Sequence, residues 1–358
     1  MGIDYHERSI ALMSKYSIQV KGEADIRLGS VDIGLIETLK KVSLLVQKLM
    51  TTEGNAFEVQ DVDEIGNARL VSNKAGRLLI NIINAHVPTD MEFRSLYQFE
   101  PYIEMALSRI MKSRLYGSHL IPRMAICAED AKAVAQRLNE CVDGIRQEGQ
   151  SKSFKAKLNS YQRSSNKNYK ELTGYADALF ERYSRLLVLR VDLSYSKENA
   201  KTAQDQAKRD RERLFENARA NKLFDNMVGY IWKLEHGPEK GFHYHMIFFF
   251  DGSKVREDIT LAKRIGEYWE AVVTKGRGLY FNCNAVKRTY KSCGIGMIDH
   301  TDVQLRKGLR NVVIYLTKTD LYMKLQTEGR GMGKGLRPAP KGPRGRPRAA
   351  ISMAGCMA

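Results

Sequence analysis

The run FHYHMIFFF at residues 242–250 constrains this chain more than any other segment. It reads as a β-strand, and its apolar stretch 246–250 implies burial on both faces. The preceding run MVGYIWKLE, 227–235, is a second strand candidate. Between them, HGPEKG carries Gly-Pro and Lys-Gly turn signals, so the two strands are expected to form an antiparallel hairpin. A third strand is predicted at 185–195 (RLLVLRVDLSY), and short ones at 279–284 and 295–298. Ser196 is placed to cap a long charged helix reaching about residue 223. Residues 258–273 read as an amphipathic helix, and Thr301 or Asp302 as the cap of a final helix reaching residue 325. The order β-α-β-β-α-β-β-α predicts an α+β fold, a central antiparallel sheet flanked by helices.

The first 150 residues show a different pattern. Apolar residues recur at helical spacing over 35–50, 69–83, 99–115 and 129–145, which predicts a mostly α-helical N-terminal domain. Residues 151–170 contain six Lys/Arg, five Ser and no acid. They read as a basic linker, either a solvated connector or an arm touching phosphates. The second domain is then expected over 171–326. Beyond it, 327–358 reads as a disordered tail. Its segment 329–348 holds seven Lys/Arg, six Gly, four Pro and no acid. Arg330, Lys334 and Arg337 are its candidate phosphate contacts.

Charge divides along the same line. The chain has 58 Lys+Arg and 41 Asp+Glu, a formal net charge of +17. Residues 1–150 hold 18 basic and 20 acidic side chains, and residues 151–358 hold 40 and 21. The second half is therefore expected to face a polyanion. No stretch approaches the roughly 18 consecutive apolar residues of a membrane span. The N-terminus lacks the basic start and apolar block of a secretory signal. The five cysteines are scattered and form no C-x-x-C pair, so neither a disulfide framework nor a cysteine zinc site is expected. These observations point to a reduced, cytoplasmic protein that uses no membrane.

Two groups of residues can carry chemistry. His243 and His245 are two apart on a strand, so both imidazoles project to one face. Taken alone, the pair also fits hydrogen-bonded core histidines. Glu235 ends the preceding strand. A register setting it opposite His243 puts it on the histidine face, and a register shifted by one turns it away. Two nitrogens and one carboxylate with open positions would suit Mg²⁺ or Mn²⁺. On the last predicted helix, Leu305, Leu309, Val312 and Leu316 form a core stripe. Asn311, Tyr315, Lys318 and Tyr322 form a flanking one. An ammonium near Tyr315 favours phenolate and can hold a phosphate. An ordinary exposed Tyr/Lys pair fits the same spacing.

Taken together, RVDLSY, then Glu-x₇-His-Tyr-His within an apolar strand, then YLTK on a late helix, resemble in order the three motifs of HUH endonucleases. These are the Rep-type initiators of rolling-circle replication. The wording EHGPEKGFHYHMIFFFDG and NVVIYLTKTDLYMKL is similar to the inovirus gene-II-type initiators, a group that includes YagK/YfjJ-type proteins of bacterial prophages. The resemblance spans roughly residues 180–325 and leaves residues 1–150 unexplained.

It implies a metal-dependent enzyme that nicks and rejoins single-stranded DNA at a replication origin through a 5′-phosphotyrosine. His243, His245 and Glu235 would hold a divalent metal. Tyr315 would be the nucleophile, and Lys318 would orient the phosphate. Arg190, Asp192 and Tyr195 would contact DNA or support the site. The two-tyrosine pattern of some phage initiators is not met, because Asn311 stands at the first position. Tyr322 is left as a possible helper. No G-x-x-x-x-G-K-[ST] is present, so unwinding would need a host helicase. An HUH transposase or relaxase, or a DNA-binding regulator that does not cut, are the alternatives.

Overall fold

The computed structural model describes residues 33–60, 67–115, 125–237, 240–290, 292–317 and 319–339. The first part of the chain forms α1 (Ile33–Met50), β1 (Phe57–Gln60), β2 (Asn67–Ser72) and α2 (Lys74–Ile83). It continues through α3 (Met91–Leu96), β3 (Tyr97–Phe99), α4 (Pro101–Lys112), β4 (Ala125–Cys127) and α5 (Ala128–Gln150). There follow α6 (Lys152–Arg182), β5 (Arg185–Tyr195), α7 (Gln204–Ala218), β6 (Met227–Gly237), β7 (Gly241–Asp251) and α8 (Asp258–Tyr268). The last elements are β8 (Gly278–Asn282), β9 (Gly296–Asp299), α9 (Val303–Thr317), β10 (Met323–Leu325) and β11 (Met332–Lys334). The chain divides into two compact units. One is Asp32–Ser165 with Thr319–Gln326, and the other holds Asn166–Lys318 and the chain from Thr327 onward. No described helix is long and apolar enough to cross a membrane.

The first unit is more mixed than its helical periodicity predicts. It contains an antiparallel sheet ordered β1-β2-β4 beside its helices. The segment 69–83, expected as one helix, splits at Asn73. That side chain accepts hydrogen bonds from the Ala75 and Gly76 amides and caps α2, so the residues before it are free to extend as β2. A second small sheet pairs β3 with β10.

The second unit is the expected α+β architecture. Its main sheet runs β11-β6-β7-β5-β8, with β9 also on β5, and every pairing is antiparallel. The 11-residue β5 is the spine. One edge pairs with β7, and the other serves β9 at one end and β8 at the other. The gap between β9 and β8 is filled by Asn284. Its Oδ1 accepts from the Arg190 amide at 2.8 Å and its Nδ2 donates to the Val188 carbonyl at 3.0 Å, standing in for a missing strand residue. All of β7 except its last residue is buried, as expected.

Four expectations about the elements are corrected. Residues 151–170 are no connector: all but Ser151 lie within α6, and the division between units falls inside that helix. The segment lacks Gly and Pro, and Phe154, Tyr161, Tyr169 and Leu172 give it a buried helical stripe. The charged helix after β5 starts at Gln204, because Ser196 instead opens a short 3₁₀ turn, Lys197–Asn199. The last helix stops at Thr317 instead of reaching 325. The tail is ordered through 339, since Met332–Lys334 pairs with β6. Residues 340–358 lie outside the described residues.

Helix α9 approaches the chain before β9 backbone to backbone. A Cβ on Gly308 would overlap the Cys293 carbonyl, and one on Gly294 would overlap the Gly308 backbone. We therefore expect Gly308→Ala to cost about 2 kcal/mol, in the range of overpacked cores. Gly174→Ala, on α6 with nothing near its Cβ, should gain up to about 1 kcal/mol from helix propensity. Urea unfolding of both variants checks this, and a neutral Gly308→Ala refutes the close approach.

Candidate metal centre

Alternation along three neighbouring strands builds the site. On one face of the sheet lie Val188, Arg190 and Asp192 of β5, Ile231, Lys233 and Glu235 of β6, and His243, His245, Ile247 and Phe249 of β7. The registers stack them in rows: Val188 beside Phe249, Arg190 beside Ile247 and Ile231, Asp192 beside His245 and Lys233, and His243 beside Glu235. The face is thus apolar in its first rows and turns polar towards the hairpin turn. The apolar rows join Tyr175 and Leu179 of α6 and Leu309, Val312, Val313 and Leu316 of α9 in one core. Each of the six polar residues is at most 9% exposed.

The hairpin register is the one that brings Glu235 opposite His243. Glu235, His243 and His245 each offer a ligand atom, and these atoms all lie within 4.8 Å of one another. Metal bonds of about 2.0–2.3 Å imply ligand separations up to about 4.5 Å, so a small closure brings all three onto one ion. His243 is prepared for this. Its Nδ1 donates to the Gly241 carbonyl at 3.0 Å, which leaves the Nε2 lone pair facing inward. That Nε2 is buried and has no hydrogen-bond partner. Burial, helped by repulsion from His245, lowers the His243 pKa to about 4, so the ring is neutral as a ligand must be. These residues fit a divalent metal.

His245 lies between two carboxylates. Its Nδ1 is 2.8 Å from Asp192 Oδ1, bent off the line of a hydrogen bond, and its Nε2 is 3.4 Å from Glu235 Oε2. Burial alone would lower its pKa, but Asp192 and Glu235 outweigh that and push it up to about 9. Burial likewise works against Asp192 ionisation, and Arg190 with His245 overcomes it and holds the carboxyl well below its usual range. Without metal, the imidazolium occupies the space between the carboxylates. An ion taking its place would leave Asp192 as the outer carboxylate that orients the histidine.

Tyr315 sits beside this group on α9, which Asp302 caps through the Leu305 amide at 2.8 Å. Its ring centroid is 6.5 Å from that of His245, and the Arg190 guanidinium lies 5.1 Å from it. Tyr315 and Arg190 line a small cavity with Tyr290, Ser292, Gly294, Ile295 and Val312. Asn311, one turn back, donates to Ser292 Oγ at 3.4 Å. Lys318 lies outside the described residues.

Other candidates fall elsewhere. Tyr195 is on the opposite face of β5, donates to Asp210 Oδ2 at 2.8 Å and packs near Trp269, so its place is structural. Tyr322 is not on α9. The helix ends before it, and it belongs to the other unit, buried, its carbonyl accepting from the Glu100 amide at 2.8 Å. That removes the shared stripe with Tyr315. Arg330 and Arg337 are exposed. Lys334 is half-buried, 3.8 Å from Glu171 and over the Tyr175 ring. The sequence reading missed Lys233, although its spacing of two from Glu235 placed it on the same face.

Fold and site together define an α+β protein with a buried Glu/His/His group able to hold a metal ion. A family model, the YagK/YfjJ C-terminal domain, matches residues 149–334, just over half of the chain, and the chain belongs to that family. No curated protein and no solved structure matches it.

Titration with Mn²⁺ should show one ion per chain. His243→Ala should abolish binding, and Asp192→Asn should weaken it about 10–100-fold. Calorimetry reads both, and unchanged affinity in His243→Ala removes the metal centre.

Proposed function

We propose that this protein is a metal-dependent endonuclease and strand transferase acting on single-stranded DNA. In this reading it nicks an origin to initiate rolling-circle replication of a phage or prophage genome, with a host helicase unwinding the duplex. The observation that carries the proposal is the juxtaposition of the Glu235/His243/His245 group with the Tyr315 ring. A structural metal would need no phenol beside it. Mg²⁺ or Mn²⁺ is the proposed ion, because an open site of two imidazoles and one carboxylate leaves positions for phosphate oxygens. When bound, the ion would polarise the scissile phosphate as a Lewis acid.

The rest is assigned to the chain's own groups. Tyr315 Oη attacks the phosphorus in line. The Oη–P bond forms and the P–O3′ bond breaks, leaving a 5′-phosphotyrosine and a free 3′-OH. The phenol proton is lost and the departing 3′ oxygen gains one, so the step is balanced without an oxidant. Reversal by an incoming 3′-OH rejoins the strand. Lys233 and Arg190 supply fixed positive charge to the same face, and Lys318 is assigned to orient the phosphate. The basic excess of the second half draws the strand in without reading its sequence.

The test is incubation with Mn²⁺ and a labelled single-stranded oligonucleotide carrying the origin of the cognate replicon, followed by denaturation. A covalent protein–DNA adduct is expected. Tyr315→Phe should lose it entirely, and His243→Ala should lose it while keeping most of its salt-sensitive DNA affinity. Cutting that persists in Tyr315→Phe assigns the attack to water instead, and binding with no cutting overturns the enzyme reading.

A further inference from the structure

Arg190, on β5, joins the polar group of the sheet to the helix that carries Tyr315. It is buried and faces two ways. Along β5, its Nε and Nη2 lie 3.3 and 3.5 Å from the two oxygens of Asp192, the carboxylate that also meets His245 at 2.8 Å. Towards α9, its guanidinium carbon lies 5.1 Å from the centre of the Tyr315 ring. The contacts to Asp192 are long for a carboxylate fork.

The backbone is held as firmly. The Arg190 amide donates to Asn284 Oδ1, and Asn284 is fixed in turn by the Val188 carbonyl and by Asp258 Oδ2 at 2.9 Å. Lys287 Nζ closes that chain at 2.6 Å from Asp258. A side chain rooted this rigidly in the sheet is a fixed reference point for a group on a neighbouring helix.

We propose that Arg190 is a positioning residue for Tyr315, setting the ring against the metal-binding group through its guanidinium face while Asp192 ties it to His245. The inference rests on the nicking reading for its consequence, but the contact itself does not. A cation–π contact taken out of water is worth enough to change a rate about 10–30-fold. A lysine keeps the charge and loses the planar face that can bridge a carboxylate and a ring at once. Arg190 also lines a small cavity with Tyr290, Ser292 and Tyr315.

The experiment has two arms on the full chain. In the first, 3-fluorotyrosine replaces Tyr315 and its ¹⁹F resonance is read without DNA. Arg190→Ala should shift it, guanidinium ion should move it back towards the parent position, and Arg190→Lys should give a smaller shift. In the second arm, adduct formation with Mn²⁺ should fall about 10–30-fold in Arg190→Ala, with Mn²⁺ affinity kept within a few-fold, and guanidinium should restore part of the loss. A resonance unmoved by Arg190→Ala overturns the proposal whether or not the parent protein cuts. So does a loss of adduct that tracks loss of Mn²⁺ affinity and is not rescued, since that is the behaviour of a general support. A parent chain that forms no adduct while the ¹⁹F arm behaves as expected overturns the nicking reading and leaves Arg190 as the holder of Tyr315.

Discussion

The register between β6 and β7 governs everything around the candidate site, because side chains alternate along a strand and a slip of one residue exchanges the two faces. With Glu235 opposite His243, carboxylate and imidazoles share a face. The pairing runs to Gly237 opposite Gly241, where β7 opens. Gly241 has φ +61, a left-handed conformation that glycine adopts without strain, and a Cβ there would overlap the Ala200 carbonyl. The chain after β5 therefore closes over the hairpin end. The Gly241 carbonyl then accepts from His243 Nδ1, so the glycine that opens β7 also sets the tautomer of a candidate ligand.

Burying Arg190, Asp192, Lys233, Glu235 and His245 together is costly unless the charges balance and touch. The structure meets that condition by alternating signs: Arg190 beside Asp192, Asp192 beside His245, His245 beside Glu235. Before any ion arrives, the two carboxylates face the Arg190 guanidinium, the Lys233 ammonium and the His245 imidazolium. A divalent cation replacing the proton of His245 would add one more positive charge to that surplus, an arrangement suited to a phosphodiester. The apolar rows below are what make it possible. Val188, Ile231, Ile247 and Phe249 fix the rotation of α9 through Leu309, Val312 and Leu316, and that rotation sends Tyr315 to the border where the face turns polar.

Most of the second unit could be read directly, because its signals were local. The strand at 185–195 and the 227–250 hairpin emerged with nearly the ends expected, since apolar runs and a Gly-Pro/Lys-Gly turn bound them. The histidine pair followed from strand periodicity. What could not be read depended on partners distant in sequence. Asp192 gave no sign of meeting His245, because that contact depends on how β5 registers against β7. Lys233 carries no signal of its own in the sequence, and only its burial in the fold gives it a place in the cluster. Residues 151–170 were misread because charge and serine content were weighed above the spacing of Phe154, Tyr161 and Tyr169. Tyr322 was misread because helical spacing was extended past Thr317, where the chain leaves to pair Met323–Leu325 with Tyr97–Phe99.

The glycine-rich tail shows how a composition signal can be correct about residues and wrong about their use. Without β11, β6 would be the open edge of the main sheet, and the row containing Lys233 and His245 would end beside unpaired backbone. Met332–Lys334 covers it, with Met332 opposite Lys233 and the Leu234 amide donating to the Gly331 carbonyl at 2.8 Å. Side chains at 333 and 335 would have no room: a Cβ at Gly333 would meet the Trp232 indole at 2.7 Å, and one at Gly335 the Tyr175 hydroxyl at 2.6 Å. The alternating glycines that resemble a disordered tail are therefore what lets an edge strand lie flat over two aromatic rings.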